Sequence, residues 1–171
     1  ENQSPNQANA TSLPCWFNVD GGSHYYYWSS VMSGSGTNST TALHYNGTTS
    51  AYSYDFSDWF ISPIFDLTGN ERLNFEYKTI LADNPPVIEV FAIDLNENDY
   101  ATMADTANFT LVATINTQYA PTEQYNMVEI LLNEFSGNTR LALVVRQKSS
   151  TFYIDNFKIS EIPLCPEVYG F

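Results

Sequence analysis

Residues 58–78 constrain this chain more than any other stretch. Asp58-Trp59-Phe60-Ile61-Ser62 is a short apolar run, Thr68-Gly69-Asn70 is a turn, and Leu73-Asn74-Phe75-Glu76-Tyr77-Lys78 alternates strictly. In a strand successive side chains point to opposite faces, so Leu73, Phe75 and Tyr77 share an apolar face and Asn74, Glu76 and Lys78 a polar one. Such a segment needs a second layer to cover its apolar side. Ile61, Ile64, Leu67, Leu73, Phe75 and Tyr77 are the expected core, with Trp59 placing the preceding loop.

The same grammar runs through the chain. Strand-like runs fall at residues 15–19, 25–29, 42–45, 59–62, 73–78, 87–94, 109–115, 127–132, 141–146 and 151–160. Turn chemistry separates them, as in Asp20-Gly21-Gly22, Asn46-Gly47, Asn84-Pro85-Pro86 and Ser136-Gly137-Asn138. Only residues 98–107 and 126–135 show weak helical patterns. Many short strands without alternating helices predict an all-β fold, an antiparallel two-sheet β-sandwich. Residues 87–93 and 141–145 are apolar on both faces and read as central strands or strands covered by loops. Val128, Ile130 and Leu132 alternate with Glu129, a contrast weakened by Met127 and Leu131.

A chain of 171 residues, 43% hydrophobic, is long enough for one domain with its own core. The expected domain spans residues 13–162. Residues 1–12 read as a linker or mature N-terminal tail, and residues 163–171 as a C-terminal linker to a possible following module. The net charge is −13, and residues 79–139 contain no Lys or Arg. Nucleic-acid binding needs basic patches against phosphate and is excluded on this balance. Attraction to an anionic membrane is disfavoured for the same reason. No apolar run approaches the roughly 20 residues that span a bilayer, so no direct membrane insertion is expected.

Cys15 and Cys165 sit near opposite ends of the chain. In a sandwich both ends can lie close together, and a bridge would close a loop worth roughly 5 kcal/mol in the chain-entropy model. Two separate thiols are the other reading, and both stay open. Asn9, Asn38, Asn46 and Asn108 each begin an Asn-X-Ser/Thr triplet.

In the last strand, parity puts Tyr153, Asp155, Phe157 and Ile159 on one face and Phe152, Ile154, Asn156 and Lys158 on the other. If Lys158 faces water, Asp155 turns inward. A buried carboxylate requires a cation or several hydrogen bonds. Asp155 is therefore a candidate structural metal ligand or an acceptor for loop N–H groups.

Three segments together resemble a known family. Residues Asp58 to Lys78, the opening Cys15-Trp16-Phe17-Asn18-Val19-Asp20-Gly21-Gly22 followed by Trp28, and the closing Phe152-Tyr153-Ile154-Asp155-Asn156-Phe157-Lys158-Ile159 are similar to cleaved-adhesin and MAM-like domains. These include the adhesin modules of gingipain-type secreted proteases. The resemblance implies a jelly-roll sandwich, secretion or cell-surface display in a bacterium, and one module of a larger chain. It also implies a structural calcium ion, with Asn18, Asp20 and Asp155 as the residues that would hold it. The opening loop here carries a single carboxylate, Asp20, so backbone carbonyls would have to complete a shell of 6–8 oxygens.

Catalytic motifs of the zinc-protease, serine-hydrolase and phosphate-loop kinds do not occur in the sequence. Asp55 and Asp58 read as capping residues, and His24 as a loop histidine. Aromatic residues are the stronger signal. Tyr25, Tyr27, Trp28, Tyr52 and Tyr54 are candidate ligand-binding rings, since exposed rings stack on sugar faces while neighbouring Asp and Asn bond hydroxyls. Packing among themselves at the sandwich end is the competing role. The expected function is a non-catalytic adhesion or carbohydrate-binding module. Its partner would be a glycan, a host or matrix protein, or neighbouring domains of the same chain. The alternative is a calcium-stabilised spacer beside a secreted protease or glycosidase.

Overall fold

The computed structural model describes residues 15–19, 27–33, 41–46, 58–80, 86–95, 106–119, 123–146 and 152–162. Strands dominate them: β1 (Phe17–Val19), β2 (Tyr27–Ser33), β3 (Thr41–Asn46), β4 (Asp58–Ile61), β5 (Phe65–Leu67), β6 (Glu71–Thr79), β7 (Val87–Asp94), β8 (Thr110–Asn116), β9 (Asn126–Leu131), β10 (Gly137–Arg146) and β11 (Phe152–Glu161). Short 3₁₀ turns at Thr106–Asn108 and Thr117–Tyr119 flank β8. The weak helical pattern at 126–135 is therefore β9 and the turn after it.

The strands form two antiparallel sheets. Sheet A has the order β1-β4-β10-β7-β8, with β5 also paired to β10, and sheet B the order β2-β3-β11-β6-β9. Stripped of β1, β2 and β5, the orders β4-β10-β7-β8 and β3-β11-β6-β9 are those of a jelly roll, in which two Greek keys interleave across the layers. The expected architecture is the observed one.

Between the sheets lies one core. Leu73, Phe75 and Tyr77 of β6 meet Ile88, Val90 and Ala92 of β7, Leu141, Leu143 and Val145 of β10, and Phe152 and Ile154 of β11. Trp16 closes the gap beside β1, stacked on Phe60 of sheet A at 4.5 Å and edge-on to Phe157 of sheet B at 5.2 Å.

The doubly apolar strands β7 and β10 are central, and their second faces are buried too. Trp59, Ile61, Phe91, Ile93, Ala142 and Val144 form a separate cluster on the outer side of sheet A. Phe109 lies against it, 5.3 Å from the Trp59 ring, and Phe91 packs on the same indole at 4.8 Å. This corrects two expectations. Ile64 is only half-buried, while Ile61 is buried as expected but in the outer cluster, Phe60 taking the inner position. Trp59 is a core residue rather than a loop anchor.

The cause is an extra residue between β4 and β5. Ile61 pairs with Ala142 and Phe65 with Thr139, so four steps on one strand face three on the other. Pro63 has no N–H to give a ladder. Ser62 compensates: its N–H donates to the Leu141 carbonyl, its Oγ accepts from the Leu141 N–H at 2.9 Å, and its carbonyl accepts from Arg140 Nη1 at 2.6 Å. Side-chain parity flips across this bulge, which brings Leu67 into the inner core.

Candidate ligand-binding face

A second bulge shapes the other sheet. The β11–β6 register shifts between Asp155 and Lys158, and Asn156 has φ of 54°. Asn tolerates this left-handed conformation better than most residues. The extra residue reverses parity, so Phe152 and Ile154 point inward before it, and Phe157 and Ile159 pack on the core after it. Asp155 therefore faces outward, paired with Glu76, and is half-exposed. The inward carboxylate expected from uniform alternation is not found.

The outer face of sheet B is organised in transverse rows. Tyr153 pairs with His44 on one side and Lys78 on the other. His44 and Tyr153 stack with ring centroids 4.9 Å apart. The Lys78 ammonium sits between two rings, 5.0 Å from that of Tyr153 and 4.9 Å from that of Tyr125. Tyr125 immediately precedes β9 and continues its register. With strands about 4.8 Å apart, the row His44–Tyr153–Lys78–Tyr125 is about 14 Å long. The next row is Asp155–Glu76–Met127, and the one beyond contains Lys158, Asn74 and Glu129.

The polar groups are held in place. Asn156 Nδ2 donates to Glu76 Oε2 at 2.7 Å, and the Asn156 N–H donates to Asp155 Oδ1 at 2.8 Å. Asn74 Nδ2 reaches Ser160 Oγ at 3.3 Å, and Arg72 pairs with Glu129 at 2.6 Å. Burial pushes the Tyr125 hydroxyl up to about 12, with Asp155, Tyr153 and Glu76 adding to the shift. It stays protonated, able to donate and accept hydrogen bonds. Burial holds His44 below the usual histidine range, so the imidazole is neutral at pH 7. The row thus carries one cation clasped by aromatic rings, beside a row of two carboxylates.

Most residues nominated from sequence fall elsewhere. Tyr25, Tyr52, Tyr54, Asp20 and Cys165 lie outside the described residues. The backbones of Asn18, Tyr27 and Trp28 are in strands, Asn18 paired with Phe60, Tyr27 with Asn46 and Trp28 with Tyr45. Cys15 is exposed. Among the described residues no three of His, Cys, Asp or Glu come together as a metal cluster. The nominated calcium ligand Asp155 faces outward beside Glu76. Sequence reasoning missed His44, Lys78, Tyr125 and Tyr153 as a group. The polar face of β6 was the available signal, since it places Glu76 and Lys78 together.

The fold and its two unlike faces define a jelly-roll sandwich of the kind shared by adhesin and carbohydrate-binding modules. The K1 cleaved adhesin domain of Lys-gingipain from Porphyromonas gingivalis W83 is similar over 88% of this chain and 93% of its own, at 17% identity with a TM-score of 0.66. TmCBM61, solved with β-1,4-galactotriose, is similar over 90% of this chain and 91% of its own, at 11% identity with a TM-score of 0.56. The CBM22-1–GH10 modules of xylanase 10B from Clostridium thermocellum, solved with xylohexaose, are similar over 86% of this chain and 26% of theirs, at 16% identity with a TM-score of 0.56. No family model matches the sequence, and no curated protein matches it. The resemblance read from residues 15–160 holds in three dimensions as a shared fold. Among the described residues no helix is long and apolar enough to cross a membrane.

Proposed function

We propose that this domain is a non-catalytic binding module of a secreted or surface-displayed bacterial protein, and that it takes an oligosaccharide on the outer face of sheet B. One observation carries the reading. Of the two outer faces, that of sheet A is closed by a buried apolar cluster along β4, β7 and β10, whereas that of sheet B holds the half-buried rings of His44 and Tyr125 around a buried Tyr153, with exposed Asn156 beside half-buried Glu76 and Asp155.

The chemistry suits a sugar. The Tyr125 ring offers an apolar edge, and its protonated hydroxyl is a donor. Asn156 ties Asp155 and Glu76 together, and Asn74 is held by Ser160, so ordering these planar acceptors and donors on binding costs little. A row of about 14 Å matches a short oligosaccharide segment lying across the strands. Adjacent carboxylates favour neutral over anionic glycans. The similar modules solved with galactotriose and xylohexaose support the same reading.

Titration calorimetry with galactotriose and xylohexaose, alongside a neutral-glycan array, tests it. Binding by the wild-type chain that weakens at least tenfold in Tyr125→Ala and in Lys78→Ala is expected. No binding above background at high protein concentration, or binding indifferent to both substitutions, would overturn it.

A further inference from the structure

The free edge of β9 differs from the other sheet edges. Edge strands expose unpaired backbone groups, and proteins ordinarily blunt them with bulges, Lys, Pro or brevity. Here β1 has three residues, and the ladders of β2 and β8 are each interrupted by a register shift. The ladder of β9 on β6 is unbroken from Asn126 to Leu131, and its sequence Asn-Met-Val-Glu-Ile-Leu contains no Lys or Pro. Its one charge, Glu129, is tied to Arg72. Among the described residues no strand pairs with its other side.

The register shows which groups are available. The Leu132 N–H donates to the Glu71 carbonyl, and Ile130 pairs with Leu73, Val128 with Phe75 and Asn126 with Tyr77. Hydrogen-bonded and non-hydrogen-bonded pairs alternate in an antiparallel ladder. The N–H and C=O groups of Met127, Glu129 and Leu131 therefore point away from β6. Their side chains stand on the open face, with Met127 75% and Leu131 53% exposed.

We propose that this edge accepts an extended strand from another polypeptide, one alternating apolar with basic side chains. The backbone of Met127, Glu129 and Leu131 would extend the ladder, the apolar side chains would continue the inner face beside Val128 and Ile130, and the basic ones would stand on the open face beside Glu129 with their stems along Met127 and Leu131. Charge selects the partner: a chain of net charge −13 repels a second copy of itself and attracts a cationic strand. The edge bounds the rows of sheet B, and the added strand would pair with backbone groups of β9 rather than with the side chains proposed for sugar.

The probe is a capped octapeptide alternating Val and Lys, compared with a Val–Glu counterpart and with a Val–Lys peptide N-methylated at alternate residues. Calorimetry and amide hydrogen exchange are the readouts. The Val–Lys peptide is expected to bind at least tenfold more tightly than either control and to protect the amides of Met127, Glu129 and Leu131. The double substitution Met127→Lys, Leu131→Lys is expected to weaken it at least tenfold. Equal binding of the N-methylated or Val–Glu peptide, protection elsewhere, no binding, or protection of these amides by self-association alone would overturn the proposal.

Discussion

Glu71 folds back on Thr68. Its carboxylate accepts the Thr68 hydroxyl at 2.6 Å and the N–H groups of Thr68, Gly69 and Asn70 at 3.0–3.1 Å. Gly69 has φ of 87°, which a side chain would strain. The turn between β5 and β6 is thus organised around one anion, although only 7% of Glu71 is exposed.

These bonds, the Thr68 hydroxyl first, hold the Glu71 carboxyl below the usual glutamate range. A depressed carboxylate stabilises the fold above its unfolded pKa of about 4.3, and that contribution is lost as pH falls through the lower folded value. Glu71→Gln is expected to cost about 2 kcal/mol at pH 7, because an amide offers one acceptor and adds donors opposite donors. Urea denaturation at pH 7 and at pH 3 checks this: the difference between variant and wild type should shrink at the lower pH.

His44 is a base held low by burial against Tyr153. The unfolded chain then binds a proton more readily than the folded one. Stability should be full above about pH 6.5 and decline as pH falls from there towards the folded value. His44→Gln is expected to flatten this part of the profile, measured as melting temperature between pH 7.5 and 5. An unchanged slope would place the transition on another group.

Burial on both sides of sheet A has a mutational consequence. Trp59→Ala is expected to destabilise by about 3–5 kcal/mol, as much as Phe75→Ala in the inner core. Leu131→Lys, at an exposed position, should stay within about 0.5 kcal/mol of wild type. Guanidinium titrations of the three variants rank them directly.

Asp155 faces away from the core, paired with Glu76. The difference in melting temperature between calcium-loaded and chelator-treated protein is expected to be the same in Asp155→Asn as in wild type. Loss of a calcium-dependent rise in the variant would restore Asp155 to a ligand set.

Local pattern carried much of the fold. Strand β7 was legible to the residue because residues 87–93 are apolar on both faces and Pro86 stops the run. The alternation of β6 was legible, but not its start at Glu71, whose side chain serves the turn. Strand β5 was missed because Phe65-Asp66-Leu67 is too short to show a period and is defined by pairing with residues 137–139, far along the chain. The row on the outer face of sheet B was hidden for the same reason. His44, Lys78, Tyr125 and Tyr153 come from four separate segments, and only the register of β3, β11, β6 and β9 sets them in one row.

The bulge at Asp155 and Asn156 acts on side-chain orientation as a frameshift acts on codons. Every residue before it is read in one phase and every residue after it in the other. Deleting Asn156 would either send Phe152 and Ile154 outward and turn Tyr153 and Asp155 into the core, or send Phe157 and Ile159 outward and turn Lys158 inward. Any alignment of this strand with that of another sandwich must therefore carry a one-residue gap there, unless the other strand is bulged at the same point. Without it, core positions are compared with outward-facing ones.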